Sequence, residues 1–314
     1  MTKSISVGLP RVSVIIPHLN TPELLVRCLQ SVAGQKINYG WFEIIVVDNG
    51  SQDTLDVLKA SWPGVLFLRE QQPGPGPARN LGVLNSRAPV LLFIDADIRA
   101  APGWLQAAVD AVEADPSRPV GGDVRIDIKV PSRPTGIEAF EAVFSFRQEM
   151  YINRKKFSGS GNLSCTRDLF DRVGPFGTIA TAEDKTWGLK ASGMGHPPRY
   201  VANMLVFHPA RSGHQETRER WQRIMQHQFL ADEHAGKARW RWHLYAWAVL
   251  LGTFAQTPQF LLSPRVYGVS GRVHGLAFLF QTRWNRFIDM RRIARTDSNK
   301  QVLHWNRQDG EQIE

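Results

Sequence analysis

Between residues 12 and 114 the chain alternates, four times over, a short apolar run with a segment of helical periodicity. VSVII (12–16), FEIIVVD (42–48), VLFLR (65–69) and VLLFID (90–95) are continuous apolar runs of strand length. PELLVRCLQSVAG (22–34), TLDVLKA (54–60), ARNLGVLNS (78–86) and PGWLQAAVDAVEA (102–114) carry apolar residues three and four apart. Strands without a polar face are covered on both sides, and helices between successive strands make those strands parallel. Further on, VGGDVRIDIKV (120–130) alternates apolar and polar residues and reads as a half-exposed strand open to antiparallel pairing. The predicted fold class is α/β: a Rossmann-like mixed sheet with helices on both faces. GIEAFEAVFSFRQEMY (136–151) and EDKTWGLKAS (183–192) read as helices, and RYVANMLVFH (199–208) as a strand.

The loop QQPGPGPARN (71–80) offers a G-x-G after a strand-like run, with Asp95 about 20 residues on, as a dinucleotide fingerprint would. However, Pro75 and Pro77 have no backbone N–H to give a pyrophosphate, and the loop follows the third strand instead of the first. It reads better as a stiff turn that presents Arg79 and opens a helix.

Two of the apolar strands end in acid, Asp48 and Asp95. Ligands of open α/β sheets bind at the carboxyl ends of strands, and a carboxylate emerging there costs desolvation unless a cation or donor meets it. FIDADI adds Asp97 two residues beyond Asp95, and on an extended strand such residues share a face. A pair of this kind can hold Mg²⁺ or Mn²⁺ together with substrate phosphates, and accept ribose hydroxyls.

Charge is uneven. From Arg211 onward there are 16 Lys and Arg against 9 Asp and Glu, so that +7 of the net +9 lies in the last third. That region is helical and Trp-rich. Trp240, Leu244, Trp247, Leu251 and Phe254 fall three and four apart, flanked by Arg239 and Arg241. Such a face either packs on the first domain or lies in a membrane interface, with an anionic surface as partner. The apolar stretch 244–254 is too short to span a bilayer, which takes about 20 apolar residues. Met1–Pro10 lacks the pattern of a signal peptide, and two distant cysteines, Cys28 and Cys165, read as small core residues of a cytosolic protein. The expected location is cytoplasmic, peripheral on the cytoplasmic face of the plasma membrane. No nucleic-acid module is recognisable, so nucleic acid is not an expected partner.

Seven stretches occur in an order that resembles the family 2 inverting glycosyltransferases of GT-A fold. They are VSVIIPHLN (12–20), FEIIVVDNGSQDT (42–54), GPGPARNLGV (74–83), VLLFIDADI (90–98), GSGNLSCTRDLFDRVGPF (159–176), AEDKTWGLKASG (182–193) and VFHPAR (206–211). The resemblance implies a catalytic domain over 8–212, followed by a helical C-terminal region (213–300) and a tail (301–314). It implies a nucleotide-sugar donor bound by Pro17, Asn20, Asp48, Arg79, Asp95 and Asn162, with Arg79 in a loop over the donor. Asp97, Asp95 and His208 would hold Mg²⁺ or Mn²⁺, and Asp184 of the Glu183–Asp184 pair would be the general base. The acceptor would be a glycan or lipid-linked sugar.

The chain departs from the family pattern in places. Asn49 stands where a second Asp is frequent, which leaves it a contact to the base but not to a metal. Lys190 replaces an Arg and offers a point charge instead of a fork. No Q-x-x-R-W motif is present, which points to transfer of a single sugar. The competing expectation is a catalytically idle GT-A-like scaffold that binds a membrane or partner.

Overall fold

The four apolar runs become strands β1 (Val12–His18), β2 (Phe42–Asp48), β3 (Val65–Arg69) and β4 (Val90–Ile94) in a computed structural model. It describes residues 8–53, 55–178, 182–211 and 213–295; the 301–314 tail lies outside them. Pairing is parallel for β1–β2, β2–β3 and β1–β4. Helices α1 (Pro22–Ala33), α2 (Asp56–Ser61) and α3 (Pro75–Leu84) make the crossovers. Past β4 come the short β5 (Arg99–Ala100), α4 (Trp104–Ala114) and β6 (Val120–Asp127).

Residues 136–151, expected as one helix, form two: α5 (Gly136–Phe144) and α6 (Gln148–Lys155). A capping box of Thr135 and Glu138 starts α5. Then follow β7 (Asn162–Thr166), the unanticipated α7 (Arg167–Val173), α8 (Glu183–Gly193) and β8 (Arg199–Pro209). The sheet order is β3-β2-β1-β4-β7-β6-β8-β5. Strand β7 is antiparallel to both neighbours, β4 and β6, and β6 pairs parallel with β8.

The chain divides into two units. One runs to Asp127 and resumes over Phe146–Pro209; the other comprises Ile128–Ser145 and the chain from Ala210. The break between α5 and α6 is thus a unit boundary, and 128–145, read from sequence as part of the catalytic domain, groups with the C-terminal helices.

In the first unit the strand period of two sends Val12, Val14 and Ile16 to one face, against Leu25 and Leu29 of α1 and Trp104 of α4. Ile15 goes to the other face, with Phe93, Phe170 and Trp187. Each such side chain, once fully buried, contributes roughly 1.5–3 kcal/mol. Cys28 and Cys165 are buried without a disulfide, and burial pushes both thiols well up.

The second unit is helical: α5, α9 (His214–His234), α10 (Trp240–Leu261) and α11 (Gly268–Ile293). Its apolar packing includes three clusters, one of them Phe140 of α5 with Phe278 and Leu279 of α11. Met225, Phe229, Trp242, Phe287 and Met290 form the second, and Ala139, Val143, Phe260 and Val266 the third. Helix α10 buries Trp242, Ala246, Thr253 and Phe260 and leaves Trp240, Leu244, Trp247, Leu251 and Phe254 exposed. Among the described residues no helix is long and apolar enough to cross a membrane.

Candidate active site

In-register pairing of β1 with β2 sets His18 beside Asp48 at the carboxyl ends of both strands. His18 is buried, and its Nδ1 lies 3.4 Å from Asp48 Oδ1 and 3.3 Å from Ser51 Oγ. Its Nε2 accepts from the Thr21 amide at 3.2 Å, which leaves Nδ1 as the protonated nitrogen. Asp48 Oδ1 also accepts from the Ser51 amide. Burial pushes the Asp48 carboxyl up, but the hydrogen bonds from His18 and Ser51 outweigh it, and its pKa lies below the usual carboxylate value. Pro17 precedes this corner. Asn20 turns it in the left-handed region, at φ 52°, which Asn tolerates better than most residues. The Asn20 amide donates to Ser51 Oγ at 2.9 Å, and its Oδ1 accepts from the Gln52 amide at 2.9 Å. Pro17, Asn20 and Asp48 are therefore together, organised by His18 and Ser51, two residues the sequence reading left out. The available signal was a histidine and an aspartate ending adjacent parallel strands.

The Gly-Pro loop is held from the same corner. Asn49 Nδ2 donates to the Gln72 carbonyl and Asn49 Oδ1 accepts from the Gly74 amide, both at 2.7 Å. Two positions on, a side chain at Gly76 would meet the Gly177 carbonyl at 2.0 Å, so only glycine lets α3 approach the chain that leads to α8.

Arg79, expected in a loop over the donor, lies within α3 and is buried. Its Nη2 is 2.5 Å from Asp95 Oδ1 and its Nη1 3.1 Å from Glu183 Oε1. Burial alone would lower the guanidinium pKa; Asp95, Glu183 and Asp184 raise it. The same burial raises the carboxyls of Glu183 and Asp184, with Arg79 opposing it in both. Asp184 Oδ1 accepts from the Lys185 amide at 2.6 Å and feels the charge of Asp95. One guanidinium thus joins the D-x-D turn to the start of α8.

That turn corrects a further expectation. Strand β4 ends at Ile94, and the Ile98 amide closes a turn on the Asp95 carbonyl at 3.1 Å. Asp95 and Asp97 do not share a strand face; the turn sends them to different partners, Arg79 and His208. Asp97 Oδ2 lies 3.2 Å from His208 Nε2 on β8. His208 Nδ1 faces the Pro209 carbonyl at 2.6 Å, which can only accept, so Nδ1 carries a proton. Nε2 then either holds a second proton toward Asp97 or presents a lone pair. Burial would lower the His208 pKa, but Asp97 raises it. A carboxylate oxygen and an imidazole nitrogen are a donor set that suits a divalent cation. Among the described residues no group of three or more His, Cys, Asp or Glu converges to hold a metal alone.

A side chain at Gly161 would come within 2.3 Å of Asp95 Oδ2, which accounts for glycine in GSGN. Asn162, expected at the donor, is fully buried. Its Oδ1 accepts from Trp104 Nε1 at 2.9 Å, and its Nδ2 donates to the carbonyls of Asp123 (2.9 Å) and Met204 (2.8 Å). With its amide so engaged, it ties β7 to β6, β8 and α4 behind the D-x-D turn instead of facing a ligand.

Fold and site together define a glycosyltransferase of GT-A type. The model of glycosyl transferase family 2 matches residues 13–174, just over half of the chain, and the chain belongs to that family of enzymes. Glycosyltransferase AglE of Haloferax volcanii is 29% identical over 209 residues, 65% of this chain and 68% of that protein. The PGL/p-HBAD biosynthesis glycosyltransferase of Mycobacterium tuberculosis is 37% identical over 177 residues, 54% of this chain and 62% of that protein. Among solved structures, mannosyltransferase PcManGT from Pyrobaculum calidifontis, in complex with GDP-Man and Mn²⁺, superposes with TM-score 0.54 at 21% identity. The match covers 88% of this chain and 74% of that one. GalNAc-T7 with UDP, GalNAc and Mn²⁺ gives TM-score 0.51 at 18% identity, over 65% of this chain and 44% of that one. The chain therefore spans less than two thirds of the mycobacterial relative and less than half of GalNAc-T7.

Proposed function

We propose that the chain moves one sugar from a nucleoside-diphosphate sugar, with UDP-sugars favoured, to a hydroxyl of a glycan or lipid-linked acceptor, with inversion at the anomeric carbon. The observation that carries this reading is the Arg79 bridge, which joins Asp95 to Glu183 and so brings Asp184 beside the D-x-D turn. Asp184 takes the proton of the acceptor hydroxyl while that oxygen bonds to the anomeric carbon. The bond from this carbon to the β-phosphate oxygen breaks, and the nucleoside diphosphate leaves with the bonding pair. Burial strengthens Asp184 as a base by raising its pKa.

Asp48, kept ionised by His18 and Ser51, reads base and ribose beside Pro17 and Asn20, and Asp95 takes a ribose hydroxyl or the metal. Asp97 and His208 would hold Mg²⁺ or Mn²⁺, and the cation would supply positive charge to offset that of the leaving diphosphate. The Mn²⁺ in both structural neighbours, with GDP-Man in one and UDP in the other, is consistent with this donor class. Nucleoside diphosphate release across UDP-, dTDP- and GDP-sugars tests the reading. Asp184→Asn should cut release by orders of magnitude and Asp97→Asn should weaken it until far more Mn²⁺ is supplied, with circular dichroism unchanged, and full activity in both at the wild-type Mn²⁺ level would overturn it. A thermal shift with UDP and Mn²⁺ separates it from an idle scaffold.

The exposed α10 face and the basic charge support peripheral association with an anionic membrane, where a lipid-linked acceptor is held. Sedimentation with anionic vesicles at low salt should carry the protein down; a chain left in the supernatant excludes this placement.

A further inference from the structure

The corner that holds Asp48 has a second charged group, on the neighbouring strand. In-register pairing of β2 with β3 sets Arg69, the last residue of β3, opposite Asp48. The Arg69 side chain is 60% exposed. Its Nη2 donates to the Ser51 carbonyl at 3.4 Å, and its Nε lies 3.9 Å from Asp48 Oδ2, beyond hydrogen-bond reach. A guanidinium carries five N–H groups, so this single bond leaves most of them open to a ligand. Asp48 divides its two oxygens. Oδ1 accepts from the Ser51 amide at 3.2 Å and faces His18 Nδ1 at 3.4 Å, while Oδ2 is turned toward Arg69. The Asp48 pKa is lowered, so the group is a carboxylate at neutral pH and can only accept. The rim thus presents, side by side, an oxygen that only accepts and a guanidinium that only donates.

Nucleobases sort by such a pair. Uracil, thymine and guanine carry a ring N–H beside a carbonyl, which accepts. Cytosine and adenine carry a bare ring nitrogen beside an amino group, which donates. We infer that Arg69 is a specificity-determining residue, which together with Asp48 Oδ2 selects nucleotides whose base has a ring N–H beside a carbonyl. Oδ2 accepts from the ring N–H, and an N–H of Arg69 donates to the carbonyl. Against cytosine or adenine the same pair sets acceptor to acceptor and N–H to N–H. A site built to pair such groups rejects the base that leaves them unpaired. The inference rests on Asp48 as the base contact of the proposed donor site. It goes further in naming a second residue and in excluding CDP- and ADP-linked donors.

Titration calorimetry of the full chain with UDP, dTDP, GDP, CDP and ADP, each with Mn²⁺, tests it. Within one ring size the preference should be about tenfold or more: UDP and dTDP over CDP, and GDP over ADP if purines enter. At its separation and exposure the Arg69–Asp48 pair adds little stability, so Arg69→Met should fold as wild type, with circular dichroism unchanged. In that variant UDP should fall to within about threefold of CDP, chiefly through weaker UDP binding. The diphosphate is common to all five ligands, so an Arg69 that met only phosphate would weaken all of them equally, and an equal loss overturns the inference. A wild type that binds UDP and CDP alike overturns it too, as does an Arg69→Met that keeps the wild-type preference; both leave the donor site standing. A chain that binds none of the five overturns the donor site and the inference together.

Discussion

Each unit withdraws an arginine from solvent, fully at Arg79 and partly at Arg286, with opposite electrostatic outcomes. Arg79 of the sheet unit faces Asp95 and Glu183, and its pKa is held above the ordinary value. Arg286 of the helical unit faces an aromatic ring and a second arginine, and its pKa is pushed below. In the first case the chain supplies both signs of charge, so the carboxylates are in place before any ligand arrives. In the second, among the described residues, the guanidinium packs on an aromatic face with no carboxylate beside it. The same side chain thus either fixes carboxylates in place or packs on an aromatic face, according to what surrounds it.

Substitutions can break this contrast. The largest loss is expected for Asp184→Asn, which removes the proposed base: about 10²–10⁴-fold in nucleoside diphosphate release at saturating donor. Arg79→Met leaves the partly buried Glu183 and the more exposed Asp95 without their cation and should cost about 1–3 kcal/mol in urea unfolding. Asp97→Asn should raise the Mn²⁺ concentration for half-maximal activity by about tenfold or more, read by metal titration after chelation. Arg286→Met should shift stability by less than about 1 kcal/mol, because among the described residues its guanidinium meets an aromatic ring and no carboxylate. A loss there as large as that of Arg79→Met would erase the distinction between the two regions.

The pH dependence sharpens it further. Asp184 acts as a base only when ionised, and its pKa is raised. Activity should therefore fall with acid at a pH above the ordinary Asp value of about 4, and a pH–rate profile of kcat/KM checks this. For stability, Glu183 and Asp184 contribute fully below their unfolded pKa values, and that contribution is lost as pH rises through their folded values. Asp48 has a lowered pKa, so its contribution is present above about pH 4 and lost as pH falls through its folded value. Urea midpoints of Asp48→Asn should lie below wild type at pH 7 and converge with it in strong acid.

The parallel half of the sheet was legible because each strand carries its own signal, a continuous apolar run closed by an acid or a turn. The split of 136–151 was not, since apolar periodicity persists through Phe146 while the chain passes between units. Likewise for the site, the acids at strand ends were readable one by one. The Arg79–Glu183 pair, 104 residues apart, leaves no local trace, and neither does the burial of Asn162 among Trp104, Asp123 and Met204. The D-x-D geometry was misread because a turn replaces the last step of an apparent strand: Phe93 and Ile94 are buried like any sheet residue, and only the Asp95–Ile98 hydrogen bond reveals the bend.

The reversed direction of β7 bears on how such a chain can diversify. Because it runs against β4, it begins at the rim where β4 ends, with Ile94 opposite Asn162 and Gly161 against Asp95. Residues 161 and 162 therefore act as a fixed hinge-post: one has no room for a side chain, the other no spare hydrogen bond. Immediately upstream, Arg154, Lys155 and Lys156 are exposed at the end of α6 and beginning of the connecting loop. That exposed stretch can vary while the post is kept, leaving Asp95 and Asp97 where they are.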